Sequence, residues 1–513
     1  MTTDPPVTLP AALAGAVALG PDRDALVTAD ARITWAGLDA ASRAAASALA
    51  ARGVGRRTRV GLLAGNGIDW AVCAFAVLRL GAVLVPLSTL LRAPELEQQL
   101  RVAAVERLVL VGSFRGRSYP DEFAELLPKG GRAPRLPALR SAWLLDEVLA
   151  DAARFPLADA LEARVRPADD LAILFTSGSR GTPKGVIHTH GNAFRAVAAS
   201  LPVRRIGRDD RLYIPMPFFW TGGFAGGLLT ALAAGATLLT EATPAPEDTL
   251  ALLARERATL FRGWPDQAAR LAAHPATAQA DLSSLRPASL PALLPPGLRA
   301  APGARANLFG MTETFGPYCG DPLDTDMPSA SWGSCGTPFP GVEVSIADPS
   351  TGRPVPQGEH GEIRVRGPHL MRGICGRSRE DVFTPDAWYR TGDLGHLDRS
   401  GRLWNHGRLD DMLKINGATV YPSEVESALT SLPGVHAAHV TSLDGPDRPV
   451  LAAAIIPAHH APLTEPALRD AARAILSPFK IPRILRILAP GSDIPRTPTG
   501  KPDLPALRTL LTP

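Results

Sequence analysis

The sequence predicts an α/β protein with more than one domain, and three observations support this. Arg59–Leu63 is typical of a strand, residues 69–80 of a helix and residues 82–86 of a second strand, with short glycine-containing links between them. A strand, a helix and a strand in this order favour a parallel sheet. From about Gly336 the chain alternates β-branched residues with turn pairs, which favours antiparallel strands. A length of 513 residues suits two or three domains.

Local composition justifies the individual elements. Residues 40–52 are rich in alanine, which has the highest helix propensity, so we expect a helix there. Residues 71–86 and 224–240 are apolar, but both are short for a membrane span, and Arg79 or several glycines interrupt them. Each is predicted to be a buried helix followed by a buried strand, and we expect no transmembrane segment. After Gly407 a compact tail of mixed α and β character begins.

Composition excludes several classes of protein. Hydrophobic residues make up 45% of the chain and charged residues 20%, as in ordinary globular proteins. The formal net charge is only +4 and no dense basic run occurs, which argues against nucleic-acid binding. The first ten residues, MTTDPPVTLP, lack the basic start and apolar core of a signal peptide, so we expect a cytoplasmic protein. Buried thiols are favoured over disulfides or a zinc site, because no CxxC spacing links Cys73, Cys319, Cys335 and Cys375.

A glycine-rich and hydroxyl-rich loop follows the apolar residues 171–175, which are predicted to form a buried strand. Residues 175–186 have the sequence FTSGSRGTPKGV. Glycines let the backbone approach an anion closely, and successive N–H groups can surround phosphate oxygens. Further donors and positive charges come from Thr176, Ser177, Ser179, Arg180, Thr182 and Lys184. These residues predict a phosphate-binding loop; an exposed hairpin loop is the alternative that composition alone leaves open.

The order T-S-G-S-x-G-x-P-K-G resembles the signature of the adenylate-forming superfamily, which includes acyl-CoA synthetases, peptide-synthetase adenylation domains and luciferases. Further segments resemble that family in the family's own order: residues 51–101, FGMTET at 309–314, YRTGDL at 389–394, the stretch from GRLDD to PSEVE at 407–426, and PRTPTGK at 495–501. Together they span nearly the whole chain. The sequence is therefore identified as a member of this superfamily.

The resemblance implies a fold and a domain organisation. We expect an α/β protein whose large N-terminal domain contains stacked α/β subdomains and a β-barrel-like subdomain. This domain would cover residues 1–407 and bind ATP and the acid. A hinge at 408–411, with Asp410 as the pivot, would connect it to a small mobile α+β domain at 412–513.

The resemblance also implies the reaction and its cofactors. A carboxylate attacks the α-phosphate of ATP, giving an acyl-adenylate and pyrophosphate. The thiol of coenzyme A then attacks the acyl carbon and releases AMP. Both nucleophiles come from the substrates, so the protein has to position them and neutralise phosphate charge. Mg²⁺ is the expected metal, because a hard cation that bridges phosphates prefers oxygen ligands.

Family motifs assign the nucleotide-binding residues. The phosphate loop implies contacts to the β- and γ-phosphates from Thr176, Ser177, Gly178, Ser179, Arg180, Gly181, Thr182 and Lys184. The FGMTET motif implies nucleotide contacts from Gly310, Met311 and Thr312. Together, this motif and the phosphate loop imply a Mg²⁺ site, with Glu313 and Thr176 as its ligands. Both residues are also expected to be catalytic. Asp393 in YRTGDL would accept hydrogen bonds from the ribose hydroxyls, and Arg408 would contact the nucleotide as well.

The C-terminal motifs divide the two half-reactions. Lys501 in PRTPTGK would bridge the carboxylate and the α-phosphate during adenylation, which makes it the third expected catalytic residue. Rotation at Asp410 would then remove it and bring in the loop at 414–418. Lys414 and Gly417 in that loop would serve the thiol half-reaction, where glycine suits close passage of a pantetheine arm.

Aromatic residues predict an apolar acyl pocket. PMPFFWTGGF at 215–224 aligns with a segment in which many acyl-CoA synthetases have a histidine where this chain has Trp220. Trp220, Phe224 and Trp264 are expected to line the pocket, and core packing is the alternative for Trp220. Two other departures are Arg180, where threonine is usual, and the proline-rich residues 287–305, which replace a glycine-rich family segment and contain Pro295–Pro296.

Three functions follow from these motifs. The first is a carboxylate–CoA ligase for an apolar acid, fatty or aryl. The second keeps the adenylation but transfers the acyl group to the pantetheine thiol of a carrier protein. The third is a non-catalytic binder of nucleotide or acyl ligands; the altered segment at 287–305 favours it, and the intact motif residues argue against it.

Overall fold

The structure is a computed structural model that describes most of the chain. The described residues are 7–128, 133–151, 156–176, 183–409, 413–415, 418–420, 422–444, 449–458, 463–476, 480–497 and 502–512. Among these residues, no helix combines the length and the apolar character needed to cross a membrane.

Helices occur along the whole chain. They are α1 (Leu9–Leu19), α2 (Trp35–Ala51), α3 (Ile68–Arg79), α4 (Ala93–Val102), α5 (Tyr119–Glu122), α6 (Leu145–Ala150), α7 (Leu157–Glu162), α8 (His190–Arg204), α9 (Thr221–Gly223), α10 (Thr230–Ala234), α11 (Pro246–Arg255), α12 (Pro265–Ala272), α13 (Pro422–Thr430), α14 (Glu465–Ile475) and α15 (Leu504–Leu511).

Strands alternate with these helices. The earlier ones are β1 (Asp24–Val27), β2 (Arg32–Thr34), β3 (Arg59–Leu63), β4 (Val83–Leu87), β5 (Arg107–Leu110), β6 (Ser113–Phe114), β7 (Arg117–Ser118), β8 (Ser141–Leu144), β9 (Asp170–Thr176), β10 (Lys184–Thr189), β11 (Arg211–Tyr213), β12 (Thr237–Leu239) and β13 (Leu260–Phe261). The later ones are β14 (Phe309–Met311), β15 (Gly316–Gly320), β16 (Thr337–Pro338), β17 (Glu343–Ala347), β18 (Gly361–Arg366), β19 (Gly373–Ile374), β20 (Tyr389–Leu397), β21 (Leu403–Arg408), β22 (Leu413–Ile415), β23 (Ala418–Val420), β24 (Val435–Leu443), β25 (Val450–Pro457) and β26 (Ile484–Ile487).

The chain forms two compact units. The first comprises Met1–Val344 and Val365–Tyr389, and the second comprises Ser345–Arg364 and Arg390–Pro513. The division into units does not test the predicted hinge at 408–411, because a hinge is defined by a rotation. The hinge stays a prediction.

A seven-stranded sheet in the first unit confirms the predicted parallel arrangement. Its order is β19-β10-β9-β4-β3-β5-β8. Strand β3 pairs in parallel with β4, and α3 connects the two strands. Alternate residues of these strands face two different cores, since Leu62 and Leu84 belong to one and Leu63 and Val85 to the other. A sheet buried on both faces is typical of α/β proteins.

A five-stranded sheet, β13-β11-β12-β1-β2, shares the larger of these cores with the seven-stranded sheet. Helices α2 and α3 also contribute residues to this core. The layers are therefore stacked α/β layers, as expected. Arg79, at the end of α3, is 1% exposed and binds Glu162 at 2.7 Å and the Ser42 hydroxyl at 3.0 Å. Pairing and hydrogen bonding are what a charge requires in such a buried position.

The predictions about the two apolar segments and about the cysteines are also confirmed. Residues 71–86 form most of α3 and β4, and residues 224–240 begin with a π-helix (Phe224–Leu229) and end with β12. The cysteines are free thiols, three buried and Cys375 half-buried. Burial raises the pKa of the Cys73 thiol to about 12, so this group is a poor nucleophile.

The second unit contains mostly antiparallel strands with helices packed on them. Strands β20 and β21 pair antiparallel, as do β24 and β25, while β26 joins β25 in parallel. Its cores include Val425 of α13 and Ile455 of β25, and Leu507 of α15 with Ile494. This mixture agrees with the predicted α+β character of the C-terminal region.

Candidate active site

The predicted phosphate loop connects the two strands of a β-hairpin. Strands β9 and β10 pair antiparallel, and Thr176 at the end of β9 lies opposite Lys184 at the start of β10. Six of the seven residues between them lie outside the described residues: Ser177, Gly178, Ser179, Arg180, Gly181 and Thr182. A hairpin loop was the alternative interpretation of these residues. The structure shows such a hairpin, and its strands β9 and β10 hold the two ends of the loop.

Glu313 lies in a short 3₁₀ turn, Thr312–Thr314, between β14 and β15. Its Oε1 accepts a hydrogen bond of 3.1 Å from the Tyr389 hydroxyl, and its backbone carbonyl accepts one of 2.8 Å from the Met371 N–H. The Thr314 hydroxyl accepts from the Met311 N–H at 3.2 Å and donates to the Gly316 carbonyl at 2.7 Å. These bonds fix both the backbone and the carboxylate of Glu313.

The same turn requires unusual backbone positions. Phe315, directly after it, has a φ of +57°, a left-handed conformation that costs a non-glycine residue roughly 1–2 kcal/mol. At Gly310 an added Cβ would lie 2.1 Å from the Gly316 carbonyl oxygen. A side chain at Gly310 would therefore separate β14 from β15, which explains why the motif needs glycine there.

A buried histidine anchors Thr312. The His188 Nε2 lies 2.8 Å from the Thr312 carbonyl oxygen, and its Nδ1 lies 2.8 Å from the amide nitrogen of Asn192. Because the Asn192 amide donates to Nδ1, Nε2 carries the proton and donates to Thr312. Burial lowers the pKa of His188 to about 3. The imidazole is therefore neutral near pH 7 and positions the turn without adding charge.

The segment at 215–224 contacts this turn directly. The Thr221 and Thr312 hydroxyl oxygens lie 3.1 Å apart. Asn66 fixes the preceding residues, since its amide donates to the Met216 carbonyl at 3.0 Å and its Oδ1 accepts from the Phe218 N–H at 2.7 Å. A π-helix then follows at Phe224–Leu229. Such helices are rare in proteins overall, but those that occur are frequently found at functional sites.

The predicted acyl-pocket residues have different surroundings. Phe224 is fully buried, with its ring centroid 5.8 Å from that of Trp70 and 6.1 Å from that of Phe315. Trp220 is half-buried and lies edge-on to Phe219 at 5.6 Å. Trp264 is 50% exposed at the start of α12. Their common role in binding an acyl group stays a prediction.

The proline-rich segment is a series of turns. Residues 273–308 are all described, and they contain 3₁₀ turns at Pro275–Ala278, Pro291–Leu293 and Pro296–Leu298 but no α-helix or strand. The turn at Pro296–Leu298 directly follows Pro295, within the segment that departs from the family sequence. Leu293 and Leu294 are buried, which attaches the segment to the core beside β13.

Asp393 and Arg408 lie opposite each other on β20 and β21 in the second unit. The Arg408 Nη1 donates to Asp393 Oδ1 at 3.0 Å and to the Thr391 carbonyl at 2.8 Å. Asp393 is 7% exposed. Gly392 has a φ of +71°, and a Cβ there would lie 2.9 Å from the guanidinium of Arg408. The structure thus joins two residues that the sequence assigned to nucleotide binding separately.

The structure describes four predicted residues only in part or not at all. Asp410, Gly417 and Lys501 lie outside the described residues, as does the side chain of Lys414. The backbone of Lys414 belongs to β22, where it lies opposite Thr419 of β23. The assigned roles of these residues stay predictions.

Sequence reasoning missed the residues that support Glu313. His188, Tyr389, Thr221 and Asn66 contact the turn or the segment beside it, from positions far away in the chain. Tyr389 was visible as the first residue of YRTGDL, and His188 as a polar residue in the apolar strand after the loop. Neither position indicates its partner, because the partners become neighbours only in the fold.

Comparison with known protein families agrees with this arrangement. The family model described as AMP-binding enzyme matches residues 13–375, and the model described as AMP-binding enzyme C-terminal domain matches residues 424–501. Together they include the turn at Glu313, the hairpin of β9 and β10 and the residue Lys501.

Curated relatives align over nearly the full chain. A (7a-methyl-1,5-dioxo-octahydro-1H-inden-4-yl)propanoyl:CoA ligase from Mycobacterium tuberculosis is 34% identical, and the alignment covers 98% of this chain and 99% of the relative. A feruloyl-CoA synthase from Amycolatopsis is 32% identical, with coverage of 91% and 92%.

A solved structure of an ATP-bound enzyme has a similar fold over nearly the whole chain. ATP-bound MatB from Rhodopseudomonas palustris is 26% identical, superimposes with a TM-score of 0.79 and covers 98% of each chain. Its fold agrees with the α/β layers and the smaller C-terminal region described above. On the family models, the full-length relatives and this fold, the chain belongs to the AMP-binding enzyme family and is an AMP-forming acyl-CoA synthetase of the adenylate-forming superfamily.

Proposed function

We propose that this enzyme activates an apolar carboxylic acid with ATP to an acyl-adenylate and then transfers the acyl group to coenzyme A. The observation on which this rests is the Glu313 carboxylate, held by the Tyr389 hydroxyl in a turn that neutral buried groups fix. A carboxylate held in a fixed position suits a reaction whose main demand is stabilisation of phosphate charge.

The residues at the turn fit a Mg²⁺ ion. A carboxylate has about four acceptor sites, so the bond from Tyr389 leaves Glu313 able to coordinate a cation. Bound Mg²⁺ would neutralise phosphate charge, and Thr176, at the end of β9, is the second proposed ligand. Thr312, held by His188, would contact the α-phosphate. Lys184 and the loop residues from Thr176 to Thr182 would bind the β- and γ-phosphates.

An apolar acid suits the residues beside the turn. The segment 215–224 contains no charged residue, and Phe218, Phe219 and Phe224 are buried in it. The relatives' names point the same way, since one acts on a bicyclic propanoyl group and another on a feruloyl group. We place Trp220 and Trp264 at the acyl pocket as well, with Trp220 limiting the size of the acid.

Residues of the second unit would bind the ribose and act in the two half-reactions. Asp393 would accept hydrogen bonds from the ribose hydroxyls while Arg408 holds its carboxylate. Lys501 would neutralise the reacting carboxylate and α-phosphate during adenylation. Rotation at Asp410 would then bring Lys414 and Gly417 to the thiol. The proposed location is the cytoplasm, in keeping with cysteines that remain thiols.

A pyrophosphate-release assay over a panel of fatty, aryl and bicyclic acids tests this function. We expect acid-dependent release with ATP and Mg²⁺, and formation of acyl-CoA detected by mass spectrometry. Silence over the whole panel, in a protein that still binds ATP, would contradict the proposal and support the non-catalytic binder. Transfer of the acyl group to a phosphopantetheine carrier protein, but not to coenzyme A, would show that the carrier protein is the acceptor and contradict that part of the proposal.

Substitution of Lys501 separates the two half-reactions. Lys501→Ala should abolish pyrophosphate release but leave thioester formation from a supplied acyl-adenylate largely intact, because the ammonium acts on the first step alone. Lys480→Ala, at a second lysine of the C-terminal region outside all motifs, is the matched control and should retain both activities. Equal loss of both half-reactions in Lys501→Ala would contradict the assigned role.

A further inference from the structure

Three histidines of the second unit lie together on its sheet, and the proposed reaction uses none of them. His360 directly precedes β18, His396 lies on β20 and His406 lies on β21. One ring nitrogen of each lies within 4.8 Å of a ring nitrogen of the other two. His360 is exposed, and His396 and His406 are half-buried, so solvent reaches the cluster.

A β-bulge brings His406 into this cluster. In the pairing of β20 with β21, Leu394 lies opposite Gly407 and Gly395 lies opposite Asn405. His406 is therefore the extra residue of the bulge. Bulges redirect a side chain and often occur beside functional sites. The redirected ring of His406 has its Nε2 2.8 Å from Nδ1 of His396.

The three rings bring one donor nitrogen each into a small volume. Only one proton can lie between Nδ1 of His396 and Nε2 of His406, so at least one of these nitrogens presents a lone pair to the other. The His360 ring stacks on both, with centroid separations of 4.9 Å from His396 and 4.4 Å from His406. Because His360 is exposed, its ring can rotate to point a nitrogen at the other two without disturbing the core.

We propose that His360, His396 and His406 bind one Zn²⁺ ion, with water as the remaining ligand. Zinc–imidazole bonds of about 2.0–2.1 Å in tetrahedral geometry place ligand nitrogens about 3.4 Å apart. The present separations, from 2.8 Å to at most 4.8 Å, bracket this value. Imidazole nitrogens suit zinc and other borderline transition metals, whereas Mg²⁺ prefers oxygen. The cluster therefore calls for a different ion from the one proposed at Glu313.

A bound ion would join three separate chain segments of the second unit. Asp393 lies three residues before His396 on β20, and Arg408 lies two residues after His406 on β21. The ion would thus restrain the strand pair that holds the Asp393–Arg408 ion pair. Its expected role is to stabilise the second unit rather than to take part in the chemistry.

Zinc titration of the untagged, chelator-treated full-length protein tests the proposal, with nucleotide left out because ATP binds metals. Isothermal titration calorimetry should show one equivalent of Zn²⁺ bound. His360→Asn should weaken binding at least tenfold, and His406→Gln should do the same. His436→Asn, at an exposed histidine of β24 outside the cluster, is the matched control and should bind as the wild type does.

Two further measurements address folding and geometry. The thermal midpoint of the wild type and of His436→Asn should rise with Zn²⁺, and that of His360→Asn should not, although this exposed position should leave the fold intact. Co²⁺ in place of Zn²⁺ should give the visible absorption of a tetrahedral site, lost in His406→Gln. Absence of stoichiometric binding by the wild type, or equal affinity in the wild type and His360→Asn, would overturn the proposal.

Discussion

Two carboxylates assigned to the nucleotide, one in each unit of the molecule, are held in position by different forces. Glu313 is fixed by neutral groups: the Tyr389 hydroxyl, the Met371 N–H and, through Thr312, the uncharged ring of His188. Asp393 is fixed by the Arg408 guanidinium across a strand pair. The difference shows two ways to orient a carboxylate. Neutral donors orient Glu313 without supplying a cation, which leaves that place for the proposed Mg²⁺, whereas Asp393 already has a cationic partner in Arg408.

The largest effect should come from removing the charge of Glu313. Glu313→Gln preserves the shape and a hydrogen-bonding atom for Tyr389 but removes the Mg²⁺ ligand. We expect kcat/KM for acid-dependent pyrophosphate release to fall about 10³-fold, or ~4 kcal/mol. Glu247→Gln, at an exposed glutamate of α11, is the matched control. A loss of less than tenfold would remove Glu313 from the proposed site.

Asp393→Asn should have the next largest effect and should act on nucleotide binding. The amide cannot accept from both ribose hydroxyls as a carboxylate does, and the ion pair with Arg408 is lost. We expect KM for ATP to rise about 50-fold, or ~2.3 kcal/mol, with a smaller change in kcat. Steady-state kinetics at saturating acid measure both constants. A change confined to kcat would contradict the binding role.

Acid should destabilise the unit that contains Glu313, because burial lowers the pKa of His188 to about 3 and those of His190 and His369 to about 4. These pKa values lie below the unfolded value of about 6.5, so the unfolded chain binds more protons between pH 6.5 and about 4. The stabilisation is therefore complete above pH 6.5 and decreases as the pH falls. Each histidine contributes up to about 1.4 kcal/mol per pH unit in this window.

Urea denaturation at pH 7 and pH 5 measures this dependence. His188→Gln should flatten the pH dependence of the free energy of unfolding, because one proton-linked group is gone, although its stability at pH 7 should be lower. An unchanged slope in His188→Gln would show that its ring is not held neutral in the fold.

The smallest effect should come from Tyr389→Phe. The hydroxyl orients Glu313 but adds no charge, so its loss should reduce kcat/KM about fivefold, or ~1 kcal/mol. A matched test is Tyr119→Phe, at a buried tyrosine whose hydroxyl binds the Thr89 carbonyl at 2.9 Å in the first unit. Tyr119→Phe should reduce stability with no change in KM for ATP. An effect of Tyr389→Phe as large as that of Glu313→Gln would give Tyr389 a role in the chemistry.

The local parts of the fold could be predicted from the sequence. Arg59–Leu63 has the predicted bounds, and α3 and β4 begin or end within one residue of prediction, because apolar periodicity and glycine links determine them locally. The motifs also assigned Glu313, Asp393 and Arg408 to the nucleotide site, and these roles stay predictions. The sequence did not indicate that Asp393 and Arg408 form a pair, although both lie on strands of the predicted antiparallel region.

The rest depends on contacts between distant residues. His188 and Thr312 are separated by 124 positions, and Glu313 and Tyr389 by 76. No periodicity or spacing encodes such pairs, because the intervening chain sets their distance. The histidine cluster was missed for a similar reason: a single extra residue in β21 brings His406 to His396, and a bulge has no clear mark in the sequence.

The position of β10 within the seven-stranded sheet has a consequence for how this enzyme can change over evolutionary time. Main-chain pairing holds β10 on both sides, with β9 on one and Gly373–Ile374 on the other. The residues between Thr176 and Lys184 are therefore attached to a frame that does not depend on their identity. The proposed phosphate contacts could therefore be altered by grafting a different loop onto these two anchor points, and the pairing of β10 with its neighbours would not change.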